Sequence, residues 1–346
     1  MKKKNLEVII NHKIGPFNKT IRVDPDKSLS IRSFLIGSIC QGKSIARNIL
    51  ESEDVKNTIL ACRKLGVKIE KIKPKNYKIY GKGLGSFSIK KNSELNFGNS
   101  GTASRLLIGI LSATPNIQVK LKGDNSLNKR SMKKLINLME KFGVTFFTNN
   151  KFTFPLKMIS SKMPIGINYK TDVSAQLKSA VILAGLNSFG NTTIIEKIKS
   201  RDHTENLLQK NTQSISIKKS KNKIITIFGK KFLKPININI AGDPSSAAFF
   251  IALTILVKGS SLKLKNVGLN PTRTGFLEIL KKQKAKIKIK NLKKENNEFV
   301  GDIYVESCKL KPIHTPTSIY SRTTDEYLIL FVIAALTKGT STFKGI

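Results

Sequence analysis

Acidic residues are scarce in this chain of 346 residues: Asp and Glu total 22 against 62 Lys and Arg, a net charge of +40. Cysteine and histidine are scarce too, with three of each. Cys40, Cys62 and Cys308 are odd in number and form no Cys-x-x-Cys pair. That argues against a disulfide framework and against a structural zinc site. His12, His203 and His314 have no ligand spacing, so only a magnesium site built from carboxylates stays open. No apolar run reaches the roughly 20 residues that a membrane helix needs. The start, Met1-Lys2-Lys3-Lys4-Asn5-Leu6-Glu7 before Val8-Ile9-Ile10, lacks the apolar core and small-residue cleavage site of a signal peptide. The cytoplasm is the default compartment.

The excess of lysine first suggests nucleic acid. Yet lysines run through the whole chain, and there is no basic tail, aromatic-interleaved basic motif or zinc-finger spacing. Dispersed charge of this kind is a solvated surface whose positive field steers anionic ligands. An enzyme acting on anionic substrates therefore ranks above a DNA or RNA binder, and neither a nucleic acid nor a membrane is expected as partner. Hydrophobic residues make up 40% of the chain, and its length suits roughly two domains.

A long repeat is present. Ser28, Gly101 and Ser174 each open a helical pattern, each 73 residues after the last. The stripes are Ile31, Phe34, Leu35 and Ile39, then Ala103, Leu106, Leu107, Ile110 and Leu111, then Leu177, Ala180, Val181 and Ala184. Glycine with small polar residues follows several of these helices, as at Gly42, Gly190, Gly259 and Gly339, and suits a helix end. Second helices are expected over 54–65, 129–142 and 270–282, and two further units have helices near Ser245 and at Asp325-Glu326. Each unit reads strand, helix, strand, helix, two strands. Pro235 and Gly242-Asp243-Pro244 mark a boundary.

Helix starts bind anions, because their first N–H groups lack partners and the dipole is positive there. Asp26-Lys27-Ser28 with Arg32 one turn on makes a phosphate or carboxylate clamp, although a solvated helix end explains it equally well. Gly98-Asn99-Ser100-Gly101-Thr102 is a glycine turn into a helix, and a cap from Thr102 would account for it alone. Ser174-Ala175-Gln176 offers two hydrogen-bonding side chains, with capping by Ser174 the simpler reading. Arg130, Arg201 and Arg273 recur near second-helix starts, where arginine suits bidentate oxyanion contact.

Six segments in order resemble motifs of the 5-enolpyruvylshikimate-3-phosphate synthase family. They begin with Asp26-Lys27-Ser28-Leu29-Ser30-Ile31-Arg32, Gly98 to Arg105 and Ser174 to Ala180. Ser200 to Glu205, Gly242 to Ala247 and Asn270 to Gly275 complete them. The resemblance implies an α/β (α+β) fold of two similar domains, each built from three βαβαββ units with pseudo-threefold symmetry. Residues 24–239 would form one complete domain, and 1–23 with 240–346 a second, incomplete one. It implies a monomer that needs no cofactor or metal and joins phosphoenolpyruvate to the 5-hydroxyl of shikimate 3-phosphate, releasing phosphate. The family pattern places Lys27, Ser28, Arg32, Ser174, Ala175, Gln176, Arg201 and Asp325 on shikimate 3-phosphate. Lys27, Asn99, Gly101, Thr102, Arg130 and Gln176 fall on phosphoenolpyruvate. Asp325 is the implied base and Lys27 a candidate proton relay. Some members insensitive to glyphosate, which occupies the phosphoenolpyruvate position, carry Ala where this chain has Gly101, so sensitivity is expected.

The family pattern continues past the segment ending at Ile346, with a Glu and further cations. The chain itself is therefore expected to be inactive or nearly so. The nearest alternative is the sister enzyme that acts on UDP-N-acetylglucosamine and usually carries an active-site Cys in a loop. Cys40, Cys62 and Cys308 all fall in expected helix or strand. A basic nucleic-acid-binding protein and a non-catalytic remnant are the alternatives from other classes.

Overall fold

The computed structural model describes residues 9–346. Helices α1 (Lys27–Ile39), α2 (Glu53–Lys64), α3 (Gly101–Ser112), α4 (Lys133–Glu140), α5 (Ala175–Gly185), α6 (His203–Leu208), α7 (Pro244–Leu256), α8 (Gly275–Lys282) and α9 (Tyr327–Ala335) alternate with short strands. The three repeated stripes open α1, α3 and α5 within one residue of the expected starts.

Helix α2 matches its expected span within one residue, whereas α4 and α8 begin later than their sequence pattern. Thr272 donates to Asn270 Oδ1 from its backbone N at 2.8 Å and from its hydroxyl at 2.7 Å. That local turn holds the chain out of helix until Gly275. The expected helix over 129–142 splits into a 3-10 turn at Leu127–Lys129 and α4, with Arg130 extended between them. Asp325 does not open a helix either. A 3-10 segment, Thr317–Arg322, precedes it, Glu326 takes the cap position, and α9 starts at Tyr327.

Four four-stranded sheets share one plan. An edge strand runs parallel to its neighbour, and the last two strands follow antiparallel. In one sheet Ser93–Asn96 pairs parallel with Gln118–Lys122, Leu95 opposite Leu121, followed by Leu156–Ile159 and Thr145–Phe147. Asn168–Thr171, Asn191–Glu196, Lys223–Phe228 and Ile215–Lys219 repeat the arrangement. In the other two sheets the edge strands are exchanged along the chain. Asn237–Asn239, just before α7, pairs with Gln41–Arg47, just after α1. Asn18–Ile21, just before α1, pairs with Ser261–Gly268, just after α7.

Two buried apolar clusters result. One draws on residues from Leu29 to Ile240, the other on Val23 and then Ala247 to Ile333. Helices α1, α3 and α5 are buried on nearly every side, because past the first turn their residues are small or apolar apart from Arg32 and Arg105. Burying side chains such as Phe34 and Leu35 contributes about 1.5–3 kcal/mol each. Helices α3 and α5 approach closely at Gly109, where a Cβ would sit 2.5 Å from the Ala180 carbonyl oxygen, so only glycine fits. Helix α2 is amphipathic, turning Val55, Ile59 and Cys62 inward and Lys56 and Arg63 outward. The smaller second cluster leaves Phe249 of α7 and Leu328 and Val332 of α9 exposed.

Candidate active site

The starts of α1, α3 and α5 converge on a cavity of about 290 Å³. Helix α1 contributes Ser28 and Arg32, α3 Thr102, and α5 Ala175, Gln176 and the cap residue Ser174. Arg201 and His203 enter from the start of α6. Tyr320, Ser321, Thr324 and Asp325 form the facing wall. The site thus lies between residues of the first cluster and the segment that leads into α9.

Arg32 is the central cation. It is 3% exposed. It donates to the Thr204 hydroxyl at 2.9 Å, the Ser28 carbonyl at 3.1 Å and the Ser179 hydroxyl at 3.3 Å. These are neutral oxygens, and two of its five N–H donors remain. Burial brings its pKa down to about 10 while Asp26 and Glu205 oppose that shift, so it stays charged at neutral pH. A buried guanidinium without a carboxylate partner among the described residues is built to receive an anion.

The 73-residue period places a cation at the same point of each inner helix: Arg32, Arg105 and Lys178. Sequence reasoning missed the last two, although that spacing carries the signal. The three have different fates. Lys178 is fully buried between Glu196 at 2.6 Å and Glu205 at 2.8 Å. Arg105 donates to the Gly101 carbonyl at 3.0 Å; burial and the neighbouring Arg130 lower its pKa. Arg130 in turn donates to Asn99 Oδ1 at 2.9 Å. Arg105, Arg130, Asn99 and Gly101 form a second cationic group beside the cavity. The Gln176 amide, donating to the Thr102 hydroxyl at 3.2 Å, stands between the two groups.

The remaining expected residues fall into place unevenly. Arg201 and Asp325 meet across the cavity at 2.6 Å. Ser174 caps α5, accepting from Leu177 N at 3.4 Å, and also lines the cavity, so capping does not take it out of the wall. The cap of α3 is Ser100, accepting from Ala103 N at 3.2 Å. Thr102 does not cap it and is free to hold Gln176. Lys27, Asn99, Gly101 and Arg130 lie outside the cavity wall. Lys27 is half-exposed and turned to Asp54 at 3.1 Å, the nearest acid to its ammonium.

Behind the wall, Glu196 fixes the turn that carries Arg201. Its Oε1 accepts from Lys178 and from the Ser200 backbone N and hydroxyl at 3.0 and 2.7 Å. Burial pushes the Glu205 carboxyl up, but Lys178 and Lys223 outweigh it and hold the carboxyl below its usual range. His203 lines the cavity with Nδ1 2.8 Å from Glu298 Oε1, and its Nε2 has no hydrogen-bond partner among the described residues. Among the described residues no group of three or more His, Cys, Asp or Glu could hold a metal ion. Cys308 is not in a strand as expected. It lies in the loop after Glu298–Glu306, packed on the second cluster. Burial pushes the Cys40 thiol to about 12 and the Cys62 thiol to about 11, so neither is a ready nucleophile.

These features match known proteins. The family model for EPSP synthase (3-phosphoshikimate 1-carboxyvinyltransferase) matches residues 11–346. The chain belongs to the EPSP synthase family. The 3-phosphoshikimate 1-carboxyvinyltransferase of Zymomonas mobilis is 38% identical over 340 residues, 98% of this chain and 75% of that protein. The Petrotoga mobilis enzyme of the same name is 40% identical, over 94% of this chain and 75% of its own length. The EPSP synthase structure from Acinetobacter baumannii superposes with a TM-score of 0.83 at 36% identity, covering 94% of this chain and 73% of that one. An enolpyruvyl transferase from Streptomyces tendae has a TM-score of 0.71 at 12% identity, over 94% and 74% of the two chains, a likeness of fold alone. The mixed α/β architecture is therefore that of the family. These comparisons lend no support to the expected inactivity of the chain. Among the described residues no helix is long and apolar enough to cross a membrane.

Proposed function

We propose that the cavity binds shikimate 3-phosphate and that the chain transfers the enolpyruvyl group of phosphoenolpyruvate to its 5-hydroxyl. The observation that carries this reading is Arg32, a buried cation facing neutral oxygens beside hydroxyl and amide donors at three converging helix starts. Ser28, Ser174, Ala175 and Gln176 hold the phosphate and ring hydroxyls with Arg32 and Arg201. Asp325 takes the proton from the 5-hydroxyl as its oxygen bonds to C2 of phosphoenolpyruvate while C3 gains a proton. In the second step the C2–O bond to phosphate breaks, C3 loses a proton and the double bond re-forms. Asn99, Gly101, Thr102, Arg130 and Gln176 hold phosphoenolpyruvate, and Arg105 joins them as an added cation. Lys27 must leave Asp54 to bridge the two substrates.

The two apolar clusters, which divide between Val23 and Leu29 and again between Ile240 and Ala247, support the division into domains of 24–239 and of 1–23 with 240–346, of which residues 1–8 lie outside the described residues; a monomeric, cytoplasmic protein belongs to the same proposal. Calorimetric titration of shikimate 3-phosphate tests the site, with Arg32→Ala as control. Binding by the wild type that is lost in the variant supports the assignment. A folded wild type that ignores shikimate 3-phosphate and binds UDP-N-acetylglucosamine overturns it in favour of the sister enzyme. The absence of an exposed cysteine from the cavity wall favours the shikimate reading.

A further inference from the structure

The chain passes between the two apolar clusters at 23–26 and again at 240–243, and the two passages lie side by side. Asp26 N donates to the Ala241 carbonyl at 2.9 Å, Asp243 N donates to the Asp24 carbonyl at 2.8 Å, and Pro25 bridges Gly242. Each passage ends in an acid that caps the next helix. Asp26 Oδ1 accepts from Leu29 N at 2.7 Å at the start of α1, and Asp243 Oδ1 accepts from Ser245 N at 2.9 Å at the start of α7.

Arg273 lies between these caps and is 3% exposed. Its Nη1 donates to Asp26 Oδ2 at 3.1 Å, and its Nη2 to Asp243 Oδ1 at 3.1 Å and to the Ser245 hydroxyl at 2.8 Å. The Ser245 hydroxyl also bonds to Glu326, the chain neighbour of Asp325. A single planar fork thus touches the caps of α1 and α7 and, through Ser245, reaches the turn that carries Asp325. Only a guanidinium offers several donors in a fixed plane; a lysine offers one compact charge. Burial and the nearby Asp26 already push the Asp243 carboxyl up, so removing the cation would leave two buried acids facing each other.

We propose that Arg273 is a positioning residue that pins the two passages together and so sets the spacing between the start of α1, with Ser28 and Arg32, and Asp325 across the cavity. It does not line the cavity. The spacing claim stands by itself; its consequence for ligand affinity rests on the reading of the cavity as a shikimate 3-phosphate site.

Spin labels on Lys56→Cys of α2 and Lys288→Cys in the strand Lys286–Glu295, both exposed positions, report that spacing in a Cys308→Ser background. The wild type should give one narrow distance distribution. Arg273→Lys should at least double its width and weaken shikimate 3-phosphate about tenfold by calorimetry. Asp243→Ala, which removes one arm, should broaden the distribution less. A folded Arg273→Lys protein with the wild-type distribution overturns the proposal, even if it melts earlier, because a merely stabilising contact would lower only the melting temperature. Broadening with unchanged affinity overturns the link to the site. If Arg273→Lys fails to fold, Asp243→Ala decides, and an unchanged distribution there also overturns it. Failure of the wild type to bind shikimate 3-phosphate refutes the functional reading instead, while the ligand-free distances still judge Arg273.

Discussion

A methyl group at Gly101 should weaken the phosphoenolpyruvate side of the site and spare the other. A Cβ built there lies 2.8 Å from Arg105 Nη1 and 3.2 Å from Arg130 Nη1. Carbon–heavy-atom contacts settle near 3.5 Å, so the two guanidinium groups must retreat by roughly 0.7 and 0.3 Å. Both are ends of flexible side chains, so the fold tolerates Gly101→Ala. The retreat strains the 3.0 Å bond from Arg105 to the Gly101 carbonyl and shifts both cations from the places in which the proposal has them hold phosphoenolpyruvate. Loss of one hydrogen bond to a charged group costs about 1.5–3 kcal/mol, roughly 10- to 100-fold in affinity. Calorimetry of phosphoenolpyruvate and of glyphosate, each titrated into protein saturated with shikimate 3-phosphate, reads the effect. Shikimate 3-phosphate itself should bind within about twofold of wild type, because Ser28, Arg32 and Ser174 stand at the other helix starts. Equal glyphosate affinity in wild type and Gly101→Ala would refute the reasoning.

Arg32→Ala should cost about 3 kcal/mol of shikimate 3-phosphate affinity, more than 100-fold; a change under fivefold would remove Arg32 from the site. Lys178→Met should lower unfolding free energy by about 3–5 kcal/mol, since Glu196 and Glu205 would be left buried beside Lys223 alone; urea denaturation measures it. Glu205, held below its usual range by Lys178 and Lys223, contributes stability that is present above its unfolded value near 4.3 and lost as pH falls through its lower folded value. The stability difference between wild type and Glu205→Gln should therefore shrink below about pH 4.3, and a difference constant down to pH 2 would contradict this. DNA binding, if any, should be weak and fall steeply between 50 and 200 mM salt; tight binding that resists salt would favour the nucleic-acid reading.

The repeat was legible because core helices need apolar faces at fixed spacing, whatever surrounds them. Ser28, Gly101 and Ser174 announced α1, α3 and α5 through that periodicity. The late starts of α4, α8 and α9 were not legible. They depend on turn chemistry such as the Asn270–Thr272 bonds, which compete with a helical pattern of hydrophobic residues. Cys308 was misread as strand because the alternation before it continues past the last paired residue, Glu306.

The residue types expected in the site came from the sequence: its motifs named Arg32, Ser174, Gln176 and Arg201, the family pattern added Asp325, and the cavity gathers all five. What the chain order could not express is partnership. Three cations stand 73 residues apart, equivalent in sequence, and folding gives Arg32 neutral partners, Arg105 a carbonyl and Lys178 two carboxylates. Periodicity is a local property, so the sequence by itself determined the helices, their inner faces and the family. Ion pairing depends on which groups from distant segments share a low-dielectric space, and only the tertiary structure decided which of those cations faces carboxylates and which faces neutral oxygens.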